Sequence, residues 1–172
     1  MQHYFNCMMT VHRRFIKRDE LPFENVAPQE LLIAIGHKGR RAVYREAVER
    51  GFSVKGYISK QAINSGYIAK DAIVFEWNNI QPHAIIGRNT VLWSGNHIGH
   101  HASIANHCFI TSHVCIGGGA MIGDGCFVGM NATVFDHVKI GDNCIIAAGA
   151  VVDRDIPDNH TMSRKGVLVE NR

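Results

Sequence analysis

From Ile68 onward an aliphatic residue falls at every sixth position, Ile68, Val74, Ile80, Ile86 and so on to Val152, without a miss. A half-buried strand would repeat every second residue and an amphipathic helix every 3.6, so neither explains the pattern. A period of six fits a prism whose sides are each one hexad long. Three hexads close an 18-residue coil, and residues 68–157 then form five coils with no insertion. Stacked coils sit ~4.8 Å apart, the spacing of paired strands.

Three further columns keep the same register. Two residues before each aliphatic the side chain is usually small, as at Ala72, Ala84, Ala102, Cys108, Cys126 and Cys144. Strand alternation turns both positions inward. The residue after the aliphatic is glycine six times, which suits a tight corner. Three residues after it, every slot from Asp71 to Asp155 holds Gly, Asn, Asp or His, with Trp77 the one exception. Those residue types best tolerate positive φ, so each corner is expected to carry one left-handed residue, with a distorted corner at Trp77. Each buried aliphatic contributes roughly 1.5–3 kcal/mol. Cys108, Cys126 and Cys144 are one coil apart and read as an inward ladder of small fillers rather than as a metal site.

Before the prism the period changes. Residues 31–36 (LLIAIG) read as a buried strand, 40–50 as a helix stopped by Gly51, and 52–59 as a second strand. A further strand is expected near residues 4–11, followed by a turn-rich stretch over 18–29. This is strand–helix–strand logic. The expected organisation is a truncated, Rossmann-like α/β unit over 1–59, the prism over 60–157 and a tail over 158–172. Gly36, His37, Lys38 and Gly39 precede the helix, where a phosphate could be cradled; an ordinary turn has the same composition.

The residues just before each aliphatic point outward. One face carries Ile73, Val91, Phe109, Phe127 and Ile145; the second Tyr67, Ile85, Ser103, Met121 and Lys139; the third Asn79, His97, Cys115, Thr133 and Val151. The wholly apolar first face is expected to be an oligomer contact, and a heterologous contact on a three-sided prism closes naturally as a trimer.

Composition narrows the function classes. A formal net charge of +3 on 172 residues, with no Lys/Arg run, gives no reason to expect nucleic acid or an anionic membrane. No stretch has the apolar length of a membrane span. His3, Asn6, His12 and Arg13 interrupt any secretory core near the start. Five cysteines without CxxC spacing fit a reducing cytoplasm.

Eleven histidines invite a metal reading, but His83, His101, His107, His113 and His137 all occupy the left-handed slot. His97 points outward from the third face. His100 stands at the second corner position, where geometry asks for no histidine, with His97 and His101 around it.

The string N-H-I-G-H-H-A-S-I at 96–104 resembles the active-site stretch of hexapeptide-repeat acyltransferases, in which the enzyme that acylates UDP-N-acetylglucosamine for lipid A has a similar H-I-A-H-D. With AIG at 34–36, YIS at 57–59 and IAAGAVV at 146–152, residues 31–152 are similar to the sialic acid O-acetyltransferase and bacillosamine N-acetyltransferase family. The resemblance implies a mainly β protein, a left-handed parallel β-helix of hexapeptide repeats; spacing alone shows only a triangular prism. It implies a homotrimer, acetyl-CoA as co-substrate with no metal, and a sugar or nucleotide-sugar acceptor acetylated on an amino or hydroxyl group in surface-glycan synthesis. His100 matches the general base. The next residue is commonly acidic in the family and here is His101, counted with it as catalytic. Gly118 matches the glycine whose backbone contacts the pantetheine arm, and Phe109 stands where some members have another histidine near the acetyl group. Gly117, Met130 and Ala148 complete the expected acetyl-CoA set; His97, Gly36 and His37 are expected at the acceptor. Family members open with a strand and a Gly-His-Gly-type loop that binds the nucleotide, and this sequence is expected to begin after it.

The expected chemistry is direct transfer, with His100 taking the proton of the attacking group and a backbone N–H of the 117–119 corner stabilising the oxyanion. Two rival readings remain at this point. A metal hydratase of the γ-carbonic anhydrase type has two zinc ligands five residues apart, a spacing no two histidines show here. The other is a catalytically idle scaffold that keeps the repeat for assembly.

Overall fold

The computed structural model describes residues 8–10 and 15–16 by their backbone path and residues 30–171 in full. The turn-rich stretch expected over 18–29, and most of 4–11, lie outside the described residues. The chain divides into two compact units, Met1–Gly56 and Tyr57–Arg172.

The first unit has strands β1 (Met8–Thr10), β2 (Phe15–Ile16) and β3 (Glu30–Leu32), helix α1 (Arg40–Glu49) and strand β4 (Ser53–Val54). They form a sheet in the order β2-β1-β3-β4, with β3 and β4 parallel across the helix. Leu31, Ile33, Ile35, Val43, Ala47 and Val54 make its core. β3 ends earlier than the apolar run predicts because Arg40, itself buried, donates from Nη1 to the carbonyls of Ile33 and Ile35 at 2.6 and 3.2 Å. Gly51 at φ 80° stops the helix: its N–H reaches Val48 O and the Phe52 N–H reaches Ala47 O, both at 2.9 Å, the two bonds of a Schellman cap. The second strand expected over 52–59 is in fact two. Ser53–Val54 joins this sheet, while Tyr57–Ile58 pairs with Ile73–Val74 in the second unit.

The second unit is a three-sided parallel β-helix. Two-residue strands begin at every sixth residue from Tyr67–Ile68 to Val151–Val152, and Tyr57–Ile58 and Ile63–Asn64 extend it toward the N-terminus. Strands one coil apart pair in parallel, Phe109 on Phe127 and His97 on Cys115, producing faces of five, six and eight strands. The aliphatics from Val74 to Val152 are buried with the small residues between them. Cys108, Cys126 and Cys144 point inward and are fully buried. The Cys126 thiol is held well above the ordinary thiol range, first by its hydrogen bond with Cys108 and then by burial; Cys144 is raised by its bond with Cys126 and by burial. These thiols stay protonated and serve as core.

The left-handed slot is occupied as the residue types predict from Trp77 to Gly149, with φ between 52 and 77°. Trp77 is no distorted corner: its φ is 58°, like its neighbours, and its side chain stands 70% exposed in solvent. Asp71 and Asp155 are not left-handed. At the second of these the hexad breaks, because Ile156, only four residues after Val152, bridges to Ile140.

The apolar stripe also differs from expectation. Ile73, Val91 and Phe109 are already buried in the single chain, and aromatic rings run along this side from Tyr57 through Phe75, Trp93 and Phe109 to Phe127. Tyr57, Trp93 and Ile145 on this side remain exposed, and further exposed apolar side chains stand at Tyr67, Ile85 and Met121 on the five-stranded face and at Trp77, Met130 and Phe135 on the corners. No helix among the described residues is long and apolar enough to cross a membrane.

Candidate active site

His100 lies on the edge that follows the six-stranded face, at the second corner position. The same position holds Pro82 one coil below, and Gly118 and Asp136 above. Its backbone N–H donates to Gln81 Oε1 at 2.9 Å, and its carbonyl accepts from Gly119 N at 2.9 Å. The side chain is exposed. Its imidazole lies on Gly118: a Cβ added there would sit 2.8 Å from both Cε1 and Nε2. Glycine is needed at 118 for the ring to rest where it does.

His101 follows in the left-handed slot at φ 59°. That conformation turns its ring back, so that its Nδ1 meets His100 Nδ1 at 3.2 Å with the rings edge-on. One coil below, the His83 ring faces His101 with centroids 4.7 Å apart and a tilt of 31°. His97 is half-buried on the outer side of the six-stranded face, in register with exposed Cys115.

The three N–H groups of the glycine corner, expected to supply the oxyanion donor, all have partners within the chain. Gly117 N–H donates to Val134 O, Gly118 N–H to Asp136 Oδ1 at 2.7 Å, and Gly119 N–H to His100 O. All three are used to hold the coils together.

The remaining expected residues are dispersed. Gly117 and Gly118 share the His100 edge. Met130 and Ala148 occupy the edge after the eight-stranded face, one coil apart in one column, and Phe109 lies on the eight-stranded face, stacked on Phe127 with centroids at 6.1 Å. Gly36 and His37 belong to the first unit, in the loop before α1. There Gly36 has open space around it, and His37 O accepts from Arg40 N at 3.2 Å. A groove of about 600 Å³ opens on the five-stranded face between Ser103, Met121, Lys139 and Ile156; none of the three central histidines lines it. Among the described residues no group of three His, Cys, Asp or Glu side chains is placed to hold a metal ion.

Gln81, His83 and Asp136 were not singled out from the residues alone. The signal that finds them is the coil length, since His83, His101, Gly119 and His137 are 18 apart, as are Pro82, His100, Gly118 and Asp136.

Comparison with known proteins agrees with this architecture. Residues 119–154 match the family described as bacterial transferase hexapeptide (six repeats). A mutant of perosamine N-acetyltransferase from Caulobacter crescentus, solved in complex with CoA and GDP-perosamine, is similar at 26% identity and a TM-score of 0.77, covering 81% of this chain and 69% of that one. PerB from the same organism, with the same two molecules, is similar at 29% identity and a TM-score of 0.74, covering 77% of this chain and 65% of its own. The chain thus spans about two thirds of the length of these proteins. No curated protein sequence gives a significant match. Repeat, fold and structural likeness agree: residues 119–154 match the bacterial transferase hexapeptide family, and the fold is similar to that of perosamine N-acetyltransferase.

Proposed function

We propose that the protein is an acetyl-CoA-dependent acetyltransferase acting on an amino or hydroxyl group of a nucleotide-linked sugar. The observation that carries this reading is the exposed His100 imidazole, seated on Gly118 and bonded to His101. It stands on a fold similar over four-fifths of the chain to an N-acetyltransferase that binds CoA and a nucleotide-linked amino sugar.

In the proposed reaction the acceptor nitrogen or oxygen attacks the thioester carbonyl and forms the new C–N or C–O bond. His100 Nε2 takes the acceptor proton as the bond forms. The tetrahedral intermediate collapses, the C–S bond breaks, and the imidazolium returns its proton to the departing thiolate. No cysteine nucleophile is required, since Cys108, Cys126 and Cys144 are buried in the core and the Cys126 and Cys144 thiols are held protonated. His97, three residues earlier on the six-stranded face, is proposed to contact the acceptor.

The working form is proposed to be a homotrimer in the cytoplasm, where acetyl-CoA is made. His100 and Gly118 stand on one edge of the prism, while Met130 and Ala148 stand on another. A donor site that uses both sets needs edges from two copies. The exposed Tyr67, Ile85 and Met121 supply apolar surface for such an assembly.

The test is incubation of the purified protein with acetyl-CoA and a panel of nucleotide-linked amino sugars, read by mass spectrometry. Acetylated sugar and free CoA in equal amounts are expected. CoA release without sugar product, or no turnover with any acceptor, would overturn the assignment.

A further inference from the structure

His83 has so far been explained only by its left-handed slot, yet its ring does more than fill it. His100 Nδ1 and His101 Nδ1 are 3.2 Å apart, so one proton lies between them and one of the two nitrogens must accept. If His101 donates, His100 carries its own proton on Nε2 and cannot act as a base there. If His100 donates, its Nε2 is bare. That Nε2 has no hydrogen-bond partner among the described residues and lies at the Gly118 surface, where a reactant could approach. Resting on the general-base reading above, we propose that His83 and His101 are positioning residues that hold His100 in its Nδ1–H tautomer, His101 by accepting that proton and His83 by stacking on His101.

The two residues divide the task by geometry. His101 is edge-on to His100 at 83°, so its in-plane lone pair can meet the His100 N–H. Contact on its face restrains the His101 ring further. The His83 ring does this from the coil below, 4.7 Å away, within the range of favourable aromatic stacking. Gln81 Oε1 fixes the His100 backbone from the same coil. The hydrogen bond at His100 Nδ1 thus decides which of its two ring nitrogens carries the proton.

Asparagine and phenylalanine at position 83 separate this role from a purely structural one. Asn suits the left-handed slot, as Asn89, Asn131 and Asn143 show; Trp77 shows that the slot also accepts a large aromatic. Corner geometry alone therefore favours His83→Asn, while stacking favours His83→Phe. His83→Asn is expected to lower kcat about three- to thirtyfold, with KM for acetyl-CoA unchanged, and His83→Phe to retain most of the turnover. His101→Gly, which removes the acceptor, should lose about ten- to a hundredfold. Independent of any activity, long-range proton–nitrogen NMR on labelled wild-type protein should find His100 protonated at Nδ1. A His100 Nε2–H tautomer, or a His83→Asn variant faster than His83→Phe, would overturn the proposal. Full turnover of His100→Ala would instead overturn the general-base reading on which it rests.

Discussion

Two edges of the same prism use one corner position in opposite ways. On the edge after the five-stranded face the column reads Arg88, Asn106, Asp124, Asp142, and then Asp158 after the shortened corner. Each side-chain oxygen takes the N–H of the coil below: Asn106 Oδ1 from Arg88, Asp124 from Asn106, Asp142 from Asp124 and Asp158 from Asp142, at 2.7–2.9 Å. The ladder is unbroken. On the edge after the six-stranded face the column reads Pro82, His100, Gly118, Asp136. Asp136 Oδ1 takes the Gly118 N–H in the same manner, and there the ladder stops. Gly118 has no side chain to receive the His100 N–H, and Gln81 from below receives it instead. One edge satisfies its backbone by repetition. The other gives up a rung, and an exposed imidazole lies on the glycine that replaced it. Departures from a self-consistent repeat are where function is expected.

Among changes that leave His100 itself in place, Gly118→Ala should have the largest effect on turnover. Its Cβ would meet the His100 ring at 2.8 Å, so the ring must move, and a displacement of this order can cost about a hundredfold in rate. Steady-state kinetics should show the loss in kcat with a thermal melt close to wild type. Asp124→Ala on the ladder edge should do the reverse. It removes the acceptor of both Asn106 N–H and Asn106 Nδ2, at 2.7 and 3.1 Å, and should lower unfolding free energy by about 1–3 kcal/mol. Denaturant unfolding measures that loss, and kcat should not change. The smallest effect is expected for His113→Asn, on the third edge. Asn suits its φ of 58°, and only the packing of the His113 ring over Gly95 is lost. Stability should fall by less than about 1 kcal/mol, and a tenfold drop in turnover would show a functional residue misread as structural.

Most of the prism was legible because its period is enforced at every coil. A single inward aliphatic out of place would bury a polar group or open a cavity, so Ile68 to Val152 had to declare itself. The left-handed slots were legible for a similar reason, since few residue types tolerate that backbone. Trp77 misled because tolerance of positive φ was inferred from residue type, whereas its backbone takes φ 58° with the side chain out in solvent. The covering of Ile73 and Val91 could not be read from a column of outward positions, which says where side chains point and not what meets them. The same limit hid the candidate site's support. His100 stood out as a histidine with no structural reason, but the pairing of His101 with it and the His83 ring beneath are contacts across a corner and across a coil. The engagement of Gly118 N–H by Asp136 could have been anticipated only by reading the corner column as a ladder.

Acetyl transfer is proposed to take place at the broken rung of His100, and the sharpest test is to compare His100→Ala with the wild type. Both proteins would be given acetyl-CoA and the nucleotide-linked amino sugar that turns over fastest. The expected kcat of the variant is lower by about 10²–10⁴, with acetyl-CoA affinity and thermal stability nearly unchanged because the side chain is exposed and outside the core. A variant that turns over as fast as the wild type would contradict it.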